Sequence, residues 1–322
     1  MQKKSLGRSG VEVGIVGLGA AFVGVPRVDL APKVYGGQPQ HVDLELGVRA
    51  VHAALEAGCT LIDTAPLYGD FRSEELIGRA LRERPELAAN CTVTTKVGRI
   101  YAGYDFSYDA VMRSVEQSQR RLGLEHFAVL YIHDPMGWPM EQIMGRDRAL
   151  GALRHLQDQG IVKAVGIAAN EPATNAPYIE TGEFDAAVVP EAWSLLNQKG
   201  MERIMPAAVR HNVGLVVATP LERGLLATGP QEGIDYLARR FSQRVLDRVT
   251  QIQVLCREYK IPLAAASLQW CTRHPQVAAT IPGARIPEEA RENTLAGEVA
   301  VPEAFWQALE PLVQHWESGV DR

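Results

Sequence analysis

The feature of this sequence that most limits its fold is a repeated alternation of apolar, strand-like segments with helical segments. Strand-like segments lie at residues 15–19, 60–63, 91–96, 127–133, 163–168, 186–189, 213–218 and 277–281, and each is followed by at least one segment with helical apolar spacing. Strands that alternate with helices predict a parallel sheet. Eight such units in order predict an α/β fold of the (β/α)8, or TIM, barrel type, in which all strand C-termini open onto one face.

Both ends of the chain add elements outside these units. Residues 2–14 alternate polar and apolar residues around glycines, which predicts an N-terminal β-hairpin. Residues 302–316 place Phe305, Leu309 and Leu312 on one helical face, so we expect extra C-terminal helices that include an amphipathic helix across the barrel. Because no linker or change in composition divides the chain, we expect residues 1–322 to form a single domain.

The composition favours a cytoplasmic enzyme. The net charge of −5 gives no basic surface for nucleic acid. No apolar run reaches the ~18 residues that a membrane helix needs, and residues 1–5 are not followed by the apolar stretch of a secretory signal. The cysteines are scattered without a C-x-x-C pair, which indicates thiols of a reducing compartment; they are Cys59, Cys91, Cys256 and Cys271.

Three of the strand-like segments end in a titratable residue. Asp63, Lys96 and His133 each close one of these segments, and Tyr68 follows Asp63 in a polar loop. A buried charge is costly unless it is paired. Since the strand ends of a barrel open onto one face, we expect these side chains to meet there.

The segment Asp63-Thr64-Ala65-Pro66-Leu67-Tyr68-Gly69 resembles the D-T-A-x-x-Y-G segment of the aldo-keto reductase superfamily. Residues 6–10, 121–124 and 281–285 are similar to further segments of that family, and the resemblance covers nearly the whole chain. It implies that Asp63, Tyr68, Lys96 and His133 form a catalytic tetrad.

Hydride transfer at a carbonyl carbon also needs a proton to move at the oxygen. We assign Tyr68 as the general acid/base, with its pKa lowered by Lys96, and Asp63 as the partner that holds Lys96. His133 then orients the substrate oxygen. Taken singly, Asp63 could equally be a helix N-cap and His133 a core residue. A metal site is rejected, because His126 lies at the far end of the same strand and Lys96 would oppose a cation.

The resemblance also implies a dinucleotide on the open face of the barrel, with Asn170 holding the nicotinamide carboxamide. This chain departs from the family at three nearby positions: Ala169 replaces a frequent serine, Pro190 a glutamine, and Ala218 a stacking tyrosine.

The implied contacts to the adenosine end are Gly283, Ala284, Arg285, Glu289, Glu292 and Asn293. Glu289 stands where many relatives have an arginine for the 2′-phosphate of NADP. A carboxylate repels that phosphate and accepts hydrogen bonds from a free ribose, so we expect NAD to be preferred over NADP. Alternatively, Glu289 is only an acid in the first turn of a helix.

Residues 194–198, 223–229 and 281–285 resemble the branch that contains D-threo-aldose 1-dehydrogenase, L-galactose dehydrogenase and pyridoxal 4-dehydrogenase. This implies oxidation of a sugar hemiacetal to a lactone, on a small-molecule sugar or aldehyde substrate. The alternatives are a broad-specificity NADPH-dependent aldehyde or ketone reductase and a non-catalytic partner subunit. Four residues in loops at the mouth could form an apolar wall for a sugar, and each could equally be ordinary loop packing; they are Tyr101, Met136, Trp138 and Trp193.

Overall fold

The computed structural model describes residues 1–26, 41–100, 103–234, 236–237, 239–315 and 320–321. Within these ranges, eight parallel strands form one sheet. They are β1 (Leu18–Gly19), β2 (Leu61–Asp63), β3 (Thr92–Val97), β4 (Phe127–His133), β5 (Val162–Ala168), β6 (Ala186–Val188), β7 (Gly214–Ala218) and β8 (Val277–Ile281). Neighbouring strands in the sheet are neighbours in the chain, which is the order of a (β/α)8 barrel.

The sheet is closed where its first and last strands meet. Val16 forms a parallel bridge to Thr280, and Gly19 forms one to Gly283. The expected first strand, 15–19, is shorter in the structure: its ladder with β2 covers only Leu18–Gly19, because residues 15–17 bond to β8 instead. The predicted barrel is therefore confirmed, and this difference concerns one strand boundary.

Helices follow the strands and pack around them. They are α1 (Leu44–Glu56), α2 (Ser73–Glu83), α3 (Tyr108–Leu122), α4 (Ala149–Asp158), α5 (Pro172–Glu180), α6 (Ile204–His211), α7 (Gln243–Tyr259), α8 (Leu263–Arg273), α9 (Pro287–Ala296) and α10 (Glu303–Leu309). Local signals fix several boundaries: Asp43 caps α1 by accepting from the Leu46 backbone N–H at 2.9 Å, and Gly123 ends α3 in the left-handed region.

The N-terminal hairpin is also confirmed and fills the end of the barrel opposite the strand C-termini. Lys3–Ser5 pairs antiparallel with Glu12–Gly14. Leu6 and Val13 from the hairpin are fully buried in one apolar cluster with barrel residues such as Val129. This end is therefore packed with apolar side chains, and the polar chemistry lies at the other end.

The C-terminal segment differs from expectation in length. The helix predicted over 302–316 is α10, which ends at Leu309 and continues only as the 3-10 turn Glu310–Leu312. Pro311 has no N–H to donate, so it cannot continue the α-helical ladder. Tyr101 and Trp316, which entered the sequence-based predictions, lie outside the described residues, as do residues 27–40. None of the helices in the described ranges has the length and apolar character needed to cross a membrane.

Candidate active site

The barrel brings the three titratable strand-end residues to one place. Asp63 is the last residue of β2, Lys96 lies one residue before the end of β3, and His133 is the last residue of β4. All three are at most 4% exposed. Charged side chains at this depth are retained only where other groups compensate them, and here the Lys96 cation and the Asp63 carboxylate compensate each other.

Lys96 is held by two neighbours. Its Nζ donates to Asp63 Oδ1 at 2.5 Å and to the Thr64 carbonyl at 2.8 Å. The other oxygen of Asp63 accepts from Thr94 Oγ1 at 2.9 Å. Burial alone would lower the pKa of Lys96, but the Asp63 carboxylate and the Tyr68 hydroxyl offset it, and the pKa lies above its ordinary value. Lys96 is therefore a fixed cation.

Tyr68 begins a short helical turn, Tyr68–Phe71, directly after the loop that follows Asp63. Lys96 Nζ lies 4.7 Å from the centroid of its ring, and the His133 ring meets it edge-to-face at 5.7 Å. The four residues predicted from the sequence thus form one cluster. Burial raises the pKa of Tyr68 above its ordinary value, and the opposing charge of Lys96 only partly offsets that rise. Tyr68 is therefore protonated at neutral pH.

His133 is buried as a neutral ring. Burial, with the charges of Lys96 and Arg99, holds its pKa well below the ordinary value. Among the described residues, none forms a hydrogen bond with its buried Nδ1. Such an unsatisfied group costs about 1–3 kcal/mol in a packed interior. This makes His133 more than a satisfied core histidine, which was the alternative reading of its position.

Sequence reasoning missed two charged neighbours of this cluster, Asp134 and Arg99. Asp134 directly follows His133 and is 1% exposed, and its carboxylate accepts from Arg99 Nη1 at 2.9 Å. Gly98 makes this contact possible: its φ of +97° turns the chain after β3, and a Cβ there would lie 2.2 Å from the Phe106 ring. The sequence did contain a signal for this contact, since Arg99 and Asp134 are opposite charges just beyond the ends of the adjacent strands β3 and β4.

Asn170 lies beside the same carboxylate. Its backbone N–H donates to Asp134 Oδ1 at 3.0 Å, and its side-chain Nδ2 donates to Asp134 Oδ2 at 3.1 Å. The predicted amide-binding residue is therefore placed next to His133 at the barrel mouth. All three departures from the family also lie at this end of the barrel, since Ala169 directly follows β5, Pro190 follows β6 and Ala218 ends β7.

The six residues predicted to contact adenosine lie together where β8 leads into α9. Gly283 is exposed and Ala284 is buried, and Asn293 Nδ2 donates to the Gly283 carbonyl at 3.2 Å. Glu289 is more than an acid in the first turn of a helix. Its two oxygens accept from the Arg285 backbone N–H at 2.9 Å and from Arg285 Nη2 at 2.7 Å. Arg285 and Glu289 therefore neutralise each other, while Glu292 is exposed.

Only part of the expected apolar wall lies at the mouth. Trp138 is 38% exposed and packs edge-to-face on Phe106 with ring centroids 5.3 Å apart. Met136 is half-buried. For Trp193 the structure shows the packing alternative: its ring stacks on Trp270 at 4.7 Å and its Nε1 donates to the Cys271 carbonyl at 3.0 Å. Trp193 therefore packs against α8.

A second buried charge cluster lies beyond β6 and β7 and was also missed. Arg239 donates to Glu222 at 3.0 Å and to Glu191 at 2.5 Å, and Ser194 donates to Glu222. Burial and the Glu191 charge raise the pKa of Glu222 to about 8, against the effect of these donors. The cluster ties the loops after β6 and β7 to each other.

Across the part of the chain that the structure describes, no group of three or more His, Cys, Asp and Glu side chains forms a potential metal site.

Known proteins are similar to this chain in sequence and in architecture. A sequence model of the Aldo/keto reductase family matches residues 33–314. Pyridoxal 4-dehydrogenase from Microbacterium luteolum is 30% identical, with 96% of each chain covered. D-threo-aldose 1-dehydrogenase from a Pseudomonas species is 27% identical, with 90% of this chain and 94% of that protein covered. An aldo-keto reductase from Bacillus halodurans in its holo form has a similar fold, with a TM-score of 0.76 at 24% identity and 99% of each chain covered. The chain therefore belongs to the Aldo/keto reductase family of oxidoreductases, which use nicotinamide cofactors and act on small molecules.

Proposed function

We propose that this enzyme oxidises the C1 hydroxyl of a cyclic sugar hemiacetal to a lactone and that NAD accepts the hydride. The observation that carries this proposal is the buried cluster in which the Lys96–Asp63 ion pair lies against Tyr68, with the His133 ring edge-to-face with Tyr68. Two relatives named above support the substrate class, since one is an aldose 1-dehydrogenase and the other a pyridoxal dehydrogenase.

In this proposal, Tyr68 takes the proton of the C1 hydroxyl while the C1 hydride leaves, and the C1–O bond becomes the lactone carbonyl. The Lys96 cation stabilises the phenolate form of Tyr68 that can take this proton. Asp63 and the Thr64 carbonyl keep the ammonium group beside the ring. The proton and the hydride together balance a two-electron oxidation.

His133 supplies a neutral imidazole next to Tyr68. Because the pKa of His133 is far below its ordinary value, the ring carries a single N–H at neutral pH and keeps one nitrogen as an acceptor. A neutral donor can orient the substrate oxygen without protonating it. His133 therefore orients the substrate oxygen, and Tyr68 exchanges the proton with it.

The donor and acceptor groups at the mouth fit a nicotinamide dinucleotide. When bound, this cofactor supplies a ring that accepts or gives a hydride. Asn170 would hold its carboxamide, and the exposed turn at Gly283 with Glu289 and Asn293 would hold its adenosine end. The Glu289 carboxylate, whose side chain is 32% exposed, can accept from a ribose hydroxyl but offers nothing to a 2′-phosphate. We therefore propose NAD as the preferred cofactor.

A second function, reduction of an aldehyde or ketone, is favoured by one specific observation. Burial keeps Tyr68 protonated, and a protonated phenol is the donor that carbonyl reduction needs. The Glu289–Arg285 pair counts against NADPH in this role, so a reductase reading implies NADH. A non-catalytic subunit is less well supported, because such a protein has no need for the complete cluster of Asp63, Tyr68, Lys96 and His133.

The test is an absorbance assay for the reduced cofactor across a panel of aldoses and pyridoxal, run with NAD and with NADP. We expect oxidation of at least one hemiacetal with NAD, with the lactone trapped as its hydroxamate. The Tyr68→Phe variant is the matched control, because it loses only a hydroxyl group. Turnover of simple aldehydes with NADH, without any hemiacetal oxidation, would replace the proposal with the reductase.

A further inference from the structure

Asp134 lies directly after β4 and its carboxylate contacts Asn170, the predicted amide-binding residue. We propose that Asp134 is a positioning residue that fixes the amide of Asn170, so that the Asn170 oxygen accepts from the N–H2 of the cofactor's carboxamide. This inference rests on the nicotinamide cofactor of the proposed function. It adds Asp134 as the residue that orients the Asn170 amide toward the cofactor's carboxamide. The carboxamide is common to NAD and NADP, so it holds for either cofactor.

The argument begins with the chemistry of the contact. An ionised carboxylate only accepts hydrogen bonds. Burial raises the pKa of Asp134 above its ordinary value, but the Arg99 guanidinium and two N–H groups of Asn170 oppose that rise and favour the ionised form. The Asn170 side chain must then present its NH2 group to Asp134. Its Oδ1 is thereby left as an acceptor, and a carboxamide nitrogen is a matching donor.

The backbone of Asp134 carries a further observation. Its φ of +51° lies in the left-handed region, which few residues other than glycine, asparagine and aspartate adopt. Its N–H donates to the Ala168 carbonyl at 2.7 Å, so the turn after β4 is tied to the end of β5 just before Asn170. A buried acid held in this conformation costs free energy, and such outliers cluster at functional sites. Here the conformation aims the carboxylate at Asn170.

The position also matters because the family's usual amide contacts are altered. Pro190 cannot contribute a side-chain amide, and Ala169 has no hydroxyl. Asn170 consequently carries more of the recognition of the carboxamide than it would with those partners. Rotation of its side-chain amide by half a turn would present a donor to the carboxamide NH2 and would remove that hydrogen bond.

The experiment measures binding and needs no substrate. Dissociation constants are measured by calorimetry for NAD and for its 3-acetylpyridine analogue, whose methyl ketone lacks the N–H donors of the carboxamide. We expect the wild type to bind NAD roughly 3- to 10-fold more tightly than the analogue, as one hydrogen bond implies. Asp134→Asn keeps the shape and the left-handed backbone but can accept or donate toward Asn170. It should narrow this difference to within about twofold.

Two variants separate positioning from a general loss of structure. Asp105→Asn makes the same chemical change at an acid whose carboxylate accepts from the Ser107 backbone N–H, and it should keep the wild-type discrimination. Asn170→Ala should lose the discrimination, and adding Asp134→Asn to it should cause no further loss, because both act through one contact. Thermal unfolding of each variant confirms that it is folded.

The positioning role would be overturned if Asp134→Asn kept the full wild-type preference for NAD over the 3-acetylpyridine analogue. It would also be overturned if that variant bound both ligands more weakly by the same factor. An unchanged preference in Asn170→Ala would do the same, even if Asp134→Asn failed to fold. Failure of every aldose in the turnover assay, in contrast, would overturn the proposed function while leaving this binding result intact.

Discussion

The Arg285–Glu289 ion pair gives the sharpest prediction about cofactor choice. Glu289→Gln removes the carboxylate charge, yet its amide oxygen can still accept from the Arg285 backbone N–H that now binds Glu289 at 2.9 Å. The guanidinium, which now donates to Glu289 at 2.7 Å, is then released toward the ribose. We expect the variant to move from NAD toward NADP, because a 2′-phosphate is the anion that a released arginine pairs with.

The size of the effect follows from the exposure of the two side chains. Arg285 is 19% exposed and Glu289 32%, so the new contact is partly screened. A hydrogen bond to a charged group contributes about 1.5–3 kcal/mol, and partial exposure places this one near the lower end. At 1.4 kcal/mol per decade, the ratio of kcat/KM for NADP over NAD should rise roughly 10- to 30-fold. The shift should shrink at high salt.

The assay compares this ratio in three variants with the wild type. Glu288→Gln is the matched control, because Glu288 is an exposed acid in the same first turn of α9 and its substitution removes the same charge. The double variant Glu289→Gln/Arg285→Gln should return the ratio toward the wild type. An equal shift in Glu288→Gln would show that the cofactor ratio responds to the net charge of this helix end and not to the release of Arg285. A ratio that does not move in Glu289→Gln would place this pair away from the ribose.

Three further predictions test the buried groups. Tyr68→Phe should lower turnover by ~10²–10⁴ while NAD still binds in a fluorescence titration; near-normal turnover would refute the acid/base role. Lys96→Met should cost about 3–5 kcal/mol of unfolding free energy in a denaturant titration, because it leaves the Asp63 carboxylate buried without its cation. Its activity profile should also shift to higher pH, since the charge that opposes the raised pKa of Tyr68 is gone; a profile that only scales down would contradict this. In the folded state the pKa of Glu222 is raised to about 8. The native state therefore binds more protons than the unfolded state, and the free energy of unfolding should fall as pH rises from about 4.5 to 8. Glu222→Gln should flatten that fall in thermal unfolding, and an unchanged slope would assign it to other groups.

How much of the site could be predicted depended on the range of the interactions. Asp63, Lys96 and His133 were found because a barrel places all strand ends on one face, and that rule needs only the position of each strand. Asp134 and Arg99 were missed because their contact depends on two local conformations, the positive φ of Gly98 and that of Asp134. Neither is visible in the hydrophobic pattern on which the strand assignment rests.

Side-chain direction was the other property that the sequence left open. Trp193 follows β6 and could have lined the mouth or packed within its loop, and its ring turns toward Trp270 of α8. Sequence position gives the end of an element and not the direction of the first side chains beyond it. The cluster of Glu191, Glu222 and Arg239 was missed for a related reason, since its members lie on different loops that only the folded barrel brings together.

The charges around Tyr68 bear on the direction of the proposed hydride transfer. Lys96 is balanced by Asp63 and Arg99 by Asp134, while His133 is neutral, so the surroundings of Tyr68 carry two compensated pairs. Protonated Tyr68 leaves this environment neutral, and ionised Tyr68 gives it one negative charge. The first state suits a neutral, reduced nicotinamide and the donation of a proton. The second suits a cationic, oxidised nicotinamide and the removal of one, because an adjacent positive charge lowers the pKa of a phenol. We therefore propose that the charge of the bound nicotinamide ring, rather than the protein, sets the direction of the reaction.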